Sequence, residues 1–314
     1  MPLRVAIQMD PLENVDIEGD TSFALMEAAQ ARGHDMWVYG PGDLSYREGR
    51  VLAQARPARV QRVAEKPGIF ESGQTLDLAG DVDIILMRQD PPFDMAYITA
   101  CHLLEQVTGE TLVLNEPSQV RSSPEKLFPL LWPELVPPTV ISRCGEEIMD
   151  FRHRHGDIIL KPLYGNGGVG VFRLREDDTN FASLMEMFLE RSREPIIAQA
   201  FLPAVSEGDK RIILVDGEPV GAINRRPKPG ETRSNLHVGG TAEPSGLSEA
   251  DQRICRVIGP ELKSRGLVLV GIDVIGGRLT EINVTSPTGV QELRRFSGAD
   301  ACAAFWDAVD RRIG

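Results

Sequence analysis

Three oxygen-bearing side chains, Asp273, Glu281 and Asn283, fall in a stretch that otherwise reads as two apolar strands, LVGIDVI and RLTEIN, joined by Gly276 and Gly277. β-Branched runs separated by a glycine pair spell a β-hairpin. Two carboxylates and an amide oxygen are the hard ligands that Mg²⁺ takes, and Mg²⁺ normally arrives with nucleotide phosphates. The same residues would equally suit the solvated face of a hairpin, so register is the test. A two-residue loop pairs Ile275 with Arg278 and sets Asp273 opposite Thr280, turning Glu281 to the other face. A three-residue loop pairs Asp273 with Glu281 and leaves Asn283 on their side. A shared metal site therefore requires the odd loop or an equivalent bulge.

Residues 165–170, GNGGVG, match the glycine spacing of a dinucleotide fingerprint. That motif needs a helix after the glycines, whereas here they run into the strand pattern VFRLR. No Lys-Ser or Lys-Thr follows at P-loop spacing. A glycine-rich strand-turn-strand can still fold over phosphates and donate backbone N–H groups, or serve as a plain hairpin turn. Lys161 ends the strand DIILKPL just before it, where an ammonium flanked by apolar residues calls for an anionic partner or snorkels to water. Lys161, the glycine turn and the three oxygens together fit an ATP·Mg²⁺ site that is neither P-loop nor kinase.

These groups need scaffolding, and the chain supplies α/β signals. A strand near 3–9, a helix capped by Asp20 or Thr21 and stopped by Gly33, and the strand DMWVYG imply a parallel layer. Residues 47–80 carry no clear pattern. VDIILM, a helix near 95–107 and TLVLNEP close a first domain, placed at 1–120. Ser122 or Ser123 could cap a short helix carrying Lys126. A second unit, 121–200, holds a helix near 146–155, the strands around the glycine turn, a helix near 181–192 and PIIAQAFL. The third, 201–314, holds a hairpin at Asp216 and Gly217, helices at 249–265 and 299–312, and the metal hairpin. Between them, 226–246 is rich in Gly, Pro and charge without periodicity, which reads as a lid at 226–242.

The 314 residues suffice for a sizeable core. Lys+Arg 34 against Asp+Glu 46 gives a net charge of −12, which argues against a nucleic-acid partner. Cys101, Cys144, Cys255 and Cys302 are scattered, with no metal-ligand spacing. No charged leader precedes the first strand and no apolar run approaches the ~18 residues of a membrane span, so a cytoplasmic protein without a membrane partner is expected.

With these features in place the chain resembles the ATP-grasp superfamily and, within it, the bacterial glutathione synthetase family along nearly its full length. The likeness is carried by MDP at Met9, DTSFALMEAAQ at Asp20, ILMRQDPPFD at Ile85, EKLF at Glu125, DIILKPL at Asp157, QAFLPAV at Gln199, GDKR at Gly208, VDGEPV at Val215, GETRSNL at Gly230 and LTEINVTSPTG at Leu279. The VTSPT tail is the most specific.

The resemblance implies an ATP-grasp fold: an N-terminal parallel α/β domain followed by two α+β subdomains that enclose the nucleotide. It implies phosphate contacts from Lys126, Lys161, Gly167 and Gly168, adenine contacts along Gln199, Ala200, Phe201 and Leu202, and Asp209 near the ribose. Asp273, Glu281 and Asn283 match the Mg²⁺ ligands, with Mn²⁺ an alternative. Arg211 and Arg225 match groups that steady the transferring phosphoryl and the acyl phosphate, Arg233 in the lid matches a group that contacts the dipeptide when the loop closes, and Arg88, Asp90, Ser286 and Thr288 match substrate contacts. The implied reaction joins γ-glutamylcysteine to glycine in a homotetramer. A different acid or amine, as in D-alanine or glutamate ligases, or a nucleotide-binding regulatory module, would keep the fold. Tyr164 departs from the family, which often has Asp before the glycines, and Lys228 and His237 are variants in the lid.

Overall fold

The computed structural model describes residues 2–63, 65–228 and 240–314. It opens with β1 (Arg4–Gln8), α1 (Thr21–Ala31) and β2 (Asp35–Tyr39). Asp20 caps α1, its carboxylate accepting from the Phe23 amide at 2.6 Å. The segment without a sequence pattern folds as antiparallel strands β3 (Leu44–Arg47), β4 (Arg50–Val60), β5 (Gly68–Phe70) and β6 (Gln74–Asp77). Then β7 (Ile84–Met87), α2 (Met95–Glu105) and β8 (Leu112–Leu114) complete an eight-stranded sheet of order β3-β4-β2-β1-β7-β8, with β5 and β6 on β4. Its β2-β1-β7-β8 portion is parallel, as the strand-helix-strand opening requires.

Lys126 does not sit on a helix capped by Ser122 or Ser123. Instead α3 (Pro117–Ser122) ends there, because Pro124 keeps Ser123 out of the helical region, at φ −124° and ψ 62°. Lys126 lies in the turn before a 3₁₀ segment, Phe128–Leu131.

Next come β9 (Thr139–Ser142), α4 (Gly145–His155), β10 (Ile158–Pro162), β11 (Phe172–Leu174), α5 (Phe181–Arg191) and β12 (Ile196–Ala200). The strands form an antiparallel sheet of order β11-β10-β12-β9. Ile158 and Leu160 face α4 and α5 in a core of their own. Strand alternation then turns Ile159 and Lys161 to the opposite face, where both line a cavity.

The last sheet contains β13 (Asp209–Val215), β14 (Glu218–Arg226), β15 (Thr241–Ser245), β16 (Leu269–Ile275) and β17 (Arg278–Asn283), with α6 (Glu249–Ser264) between β15 and β16. Its order is β15-β14-β13-β16-β17. The expectation of a structureless run over 226–246 fails at both ends: β14 extends through Arg226 and pairs with β15, from Arg226 opposite Thr241 to Ala222 opposite Ser245. Ladder hydrogen bonds satisfy this backbone despite a composition that reads as loop. Residues 229–239, with Arg233 and His237, lie outside the described residues. The sequence reading also missed α7 (Val290–Ser297), which precedes the final α8 (Ala301–Ile313).

The first and last sheets share apolar cores: Ile85 and Tyr97 cluster with Ile212 and Ile272, and Trp306 of α8, fully buried, donates to the Leu25 carbonyl at 3.0 Å. Asn115 pins the joint. Its Nδ2 donates to the carbonyls of Leu269 (2.9 Å) and Val284 (2.7 Å), and its Oδ1 accepts from the amides of Val268 (2.7 Å) and Leu269 (3.0 Å).

Candidate active site

The β16–β17 turn has two residues, Gly276 at φ 55° and Gly277 at φ 73°, the left-handed pair that a tight hairpin of this kind uses. Ile275 therefore pairs with Arg278 and Val274 with Leu279, after which the register slips so that Asp273 faces Glu281 and Gly271 faces Asn283. Thr280 is the extra residue, and its hydroxyl donates to the Asp273 carbonyl at 3.1 Å. A bulge, not an odd loop, puts the three oxygen-bearing side chains on one face.

β17 is the edge of its sheet, and its outer backbone amides are taken by the preceding turn segment. Ile282 donates to the Glu125 carbonyl at 3.0 Å and Leu279 to that of Leu135 at 2.9 Å. This docks Glu125 and Lys126 beside Glu281. Lys126, 5% exposed, has its Nζ 3.2 Å from Glu125 Oε1 and 3.9 Å from Glu281 Oε1, and it donates to the Gly165 carbonyl. Lys161, 7% exposed, reaches Glu281 Oε1 at 3.1 Å. Burial alone would raise the Glu281 carboxyl, but the charges of Lys126 and Lys161 outweigh it and hold it well below the usual range. For Glu125 burial wins, reinforced by the Glu281 charge, and pushes its carboxyl up to about 8. Lys126 is raised: burial opposes its charge, but Glu281 and Glu125 more than compensate.

On the other side of Glu281, Arg211 and Arg225 converge on Asp273. Arg211 makes a two-pronged contact of 2.5 and 3.0 Å; Arg225 lies 3.0 Å from Asp273 Oδ1 and 2.5 Å from Asp209 Oδ2. Despite burial, the two guanidinium charges keep the Asp273 carboxyl low. Gly271 leaves room for this, since a Cβ there would lie 3.1 Å from Arg211 Cδ.

The glycine turn connects β10 to β11, with Gly167, Gly168 and Gly170 at φ of 63°, 78° and 73°. Tyr164 at its start stacks on Phe93 from the first domain, rings 6.3 Å apart and 22° between planes. Beneath the turn lies a cleft of about 590 Å³ that brings together Lys126, Lys161, Gly167, Gly168, Arg211, Arg225 and the hairpin oxygens. A second cavity of about 140 Å³ adjoins it, lined by Gln199, Ala200, Phe201, Leu202 and Asp209. The amides of Ala200 and Phe201 already donate to Pro138 (3.0 Å) and Asp157 (2.9 Å).

Arg88, Asp90, Ser286 and Thr288 also line the large cleft. Arg88 is buried, and its guanidinium reaches Ser22 Oγ (3.1 Å) and the carbonyls of Thr285 (3.3 Å) and Pro287 (3.4 Å), so it braces the 285–288 loop. Burial pushes its pKa down. Arg211 also holds this loop, through the Thr288 carbonyl at 3.2 Å.

Residues 3–121 match the prokaryotic glutathione synthetase N-terminal domain, and residues 125–298 match the prokaryotic glutathione synthetase ATP-grasp domain. The chain belongs to the prokaryotic glutathione synthetase family. It is 54% identical over 314 residues to the glutathione synthetase of Brucella melitensis, covering 99% of this chain and 100% of that one. It is likewise 54% identical over 312 residues to that of Mesorhizobium japonicum, covering 99% of each. Among solved structures, a D-cycloserine synthetase superposes with a TM-score of 0.69 at 17% identity over 99% of this chain and all of that one, a likeness of fold.

An ATP-grasp glutathione synthetase family implies ATP and a divalent metal, and the donors here suit one. Glu281 is anionic and faces the cleft beside Asn283. The Asn283 Nδ2 is buried with no partner among the described residues, so no hydrogen bond there opposes turning the amide to present Oδ1. Asp273 would share its oxygens with two guanidinium groups. Among the described residues no cluster of three His, Cys, Asp or Glu side chains closes on one point; the third oxygen is an amide, which is why only the Asp, Glu and Asn spacing pointed to the hairpin.

Sequence reasoning missed Glu125, which touches both Lys126 and the hairpin, and Asn115, which orients β16. Glu125 could have been found as a charged residue immediately beside a candidate phosphate lysine. No pattern marks Asn115.

Proposed function

We propose that the chain makes glutathione by ligating γ-glutamylcysteine to glycine, with conversion of ATP to ADP and phosphate. The observation that carries this reading is full-length identity of 54% to a glutathione synthetase, and one cleft containing the lysines, glycine turn, arginines and bulged hairpin supports it.

On this reading 1–120 is a substrate domain, 121–200 the ATP-grasp subdomain with the glycine turn, and 201–314 the subdomain with the metal hairpin. The adenine occupies the cavity at Gln199, Ala200, Phe201 and Leu202, using groups other than the engaged amides of Ala200 and Phe201. Lys126 and Lys161 turn from Glu281 to the phosphates, with Gly167 and Gly168 above them and Asp209 toward the ribose. Asp273, Glu281 and Asn283 would hold Mg²⁺, or Mn²⁺, which supplies charge to offset that of the phosphates.

The dipeptide carboxylate attacks the γ-phosphorus, ADP leaves, and the glycine amine then attacks the acyl carbon and expels phosphate. Arg211 and Arg225 stabilise oxygens that gain charge in both steps. Arg88 and Asp90 shape the dipeptide end, Ser286 and Thr288 take the glycine carboxylate, and Arg233 contributes from the lid. The family resemblance further supports a homotetramer in the cytoplasm, which light scattering and fractionation would check.

Phosphate release from ATP and Mg²⁺ is measured with γ-glutamylcysteine, with glycine and with both, and glutathione by mass spectrometry. Release that requires both amino compounds is expected; no release above background with both would overturn the reading.

A further inference from the structure

Residues paired across antiparallel strands share a face of the sheet. Arg173 of β11 pairs with Ile159, and Ile159 in turn with Gln199. Ile159 and Gln199 line the smaller cavity, so Arg173 stands on the same side of the sheet, one strand further out. Its neighbour Leu174 pairs with Ile158 and belongs to the core on the opposite side. Arg173 is not among the residues that line the cavity, but Phe201 is, and the Arg173 guanidinium carbon lies 3.8 Å from the centre of the Phe201 ring.

Asp157 fixes both partners of that contact. Its Oδ2 accepts from Arg173 Nε at 3.0 Å and Nη2 at 2.7 Å, its Oδ1 from the Glu176 amide at 3.0 Å, and its carbonyl from the Phe201 amide at 2.9 Å. Phe201 is thus held by its backbone from Asp157 and by its ring from Arg173. A half-buried aromatic side chain just past a strand end has more than one staggered rotamer open to it. A guanidinium over the ring face favours one of them by cation–π attraction. A fixed, flat apolar wall is what a purine base stacks against.

We propose that Arg173, anchored by Asp157, is a positioning residue for the base of the nucleotide: it fixes the Phe201 ring as a wall of the adenine cavity without touching the nucleotide itself. The inference rests on the nucleotide placement in the ligase reading above and deepens it, tying base affinity to a side chain on the strand that follows the glycine turn. Because Arg173 acts through the ring, its contribution vanishes when the ring is absent. Because the phosphates belong with Lys126 and Lys161, a ligand that carries phosphates but no base is indifferent to it.

Calorimetric titration of the full chain with ADP and with tripolyphosphate, both with Mg²⁺, tests this. Arg173→Ala should raise the Kd of ADP about 5-fold and the KM of ATP by a similar factor, while kcat, the KM values of dipeptide and glycine, and the Kd of tripolyphosphate stay as in wild type. In a Phe201→Ala background the same substitution should add less than ~1.5-fold. An unchanged ADP affinity in folded Arg173→Ala overturns the proposal. So does an equal weakening of tripolyphosphate, or the same ~5-fold loss in the Phe201→Ala background, since either gives Arg173 a role that the ring does not carry. Should Arg173→Ala not fold, Arg173→Gln, without the charge, must raise the ADP Kd at least ~2-fold or the proposal fails. A wild type that does not bind ADP overturns the nucleotide placement and this inference with it. One that binds ADP but makes no glutathione overturns the ligase reading alone, and the titrations still decide the role of Arg173.

Discussion

Arg211 grips Asp273 with both prongs of its guanidinium, Nε 2.5 Å from Oδ1 and Nη2 3.0 Å from Oδ2, and Asp273 is only 4% exposed. Arg225 approaches the same carboxylate, so the residue expected to bind a metal is also the anchor of two arginines expected to meet phosphoryl oxygens. One buried acid thus positions Arg211 and, together with Asp209, Arg225.

Removing Arg211 leaves Asp273 buried with a single partner. Arg211→Ala is expected to lower stability by on the order of 3 kcal/mol and turnover by more than ~100-fold. Arg211→Lys, unable to form the fork, should recover less than half of either. Urea unfolding and phosphate release measure both, and wild-type unfolding midpoint and turnover in Arg211→Ala would dismiss the relationship.

The four backbone contacts of Asn115 give a second prediction. Asn115→Ala loses all of them in a buried setting and should destabilise by about 3 kcal/mol. Asn115→Asp, the same shape, should be worse at neutral pH, since a carboxylate cannot donate to the carbonyls of Leu269 and Val284. A variant order of Asp milder than Ala in thermal unfolding would contradict this.

Much of this architecture is legible in the chain because periodicity and capping agree with the fold. β1, α1, β2 and β7 lie within a residue or two of their sequence signals, and the Asp273, Glu281 and Asn283 spacing demanded the slip that Thr280 provides. What was not legible depends on partners distant in sequence. β4 has a broken alternation, with Val51, Leu52 and Ala53 buried in succession, because different parts of its length pair with β2, β3, β5 and β6. α7 is short, with few apolar positions, and is fixed by contacts of Gln291 and Leu293 with residues far away. Glu125 and Asn115 owe their importance to burial and to backbone groups that no local pattern reveals.

The contact of Tyr164 with Phe93 ties the glycine turn to the segment before α2. An offset aromatic pair contributes about 0.5–1.5 kcal/mol. Phe93→Ala should therefore speed amide exchange across 165–170 by up to ~10-fold in the ligand-free protein. Exchange there at the wild-type rate would show that the stack does not restrain the turn.

Glu125 predicts a pH dependence of stability. Its folded-state pKa is raised from the ordinary 4.5 to about 8, so between these values it is protonated in the folded chain and ionised in the unfolded one. The contribution is complete below the lower value and is lost as pH rises through the upper one. Glu281 is shifted the opposite way, so its contribution is present above the ordinary carboxylate range and disappears only as pH falls well below it; it leaves this window unaffected. Glu125→Gln removes the titration while keeping the shape. The unfolding free energy of wild type relative to Glu125→Gln, both without ligand, should fall by on the order of 2 kcal/mol from about pH 5 to about pH 8.5. A flat difference over that range would mean that Glu125 is ionised in the folded protein beside Glu281.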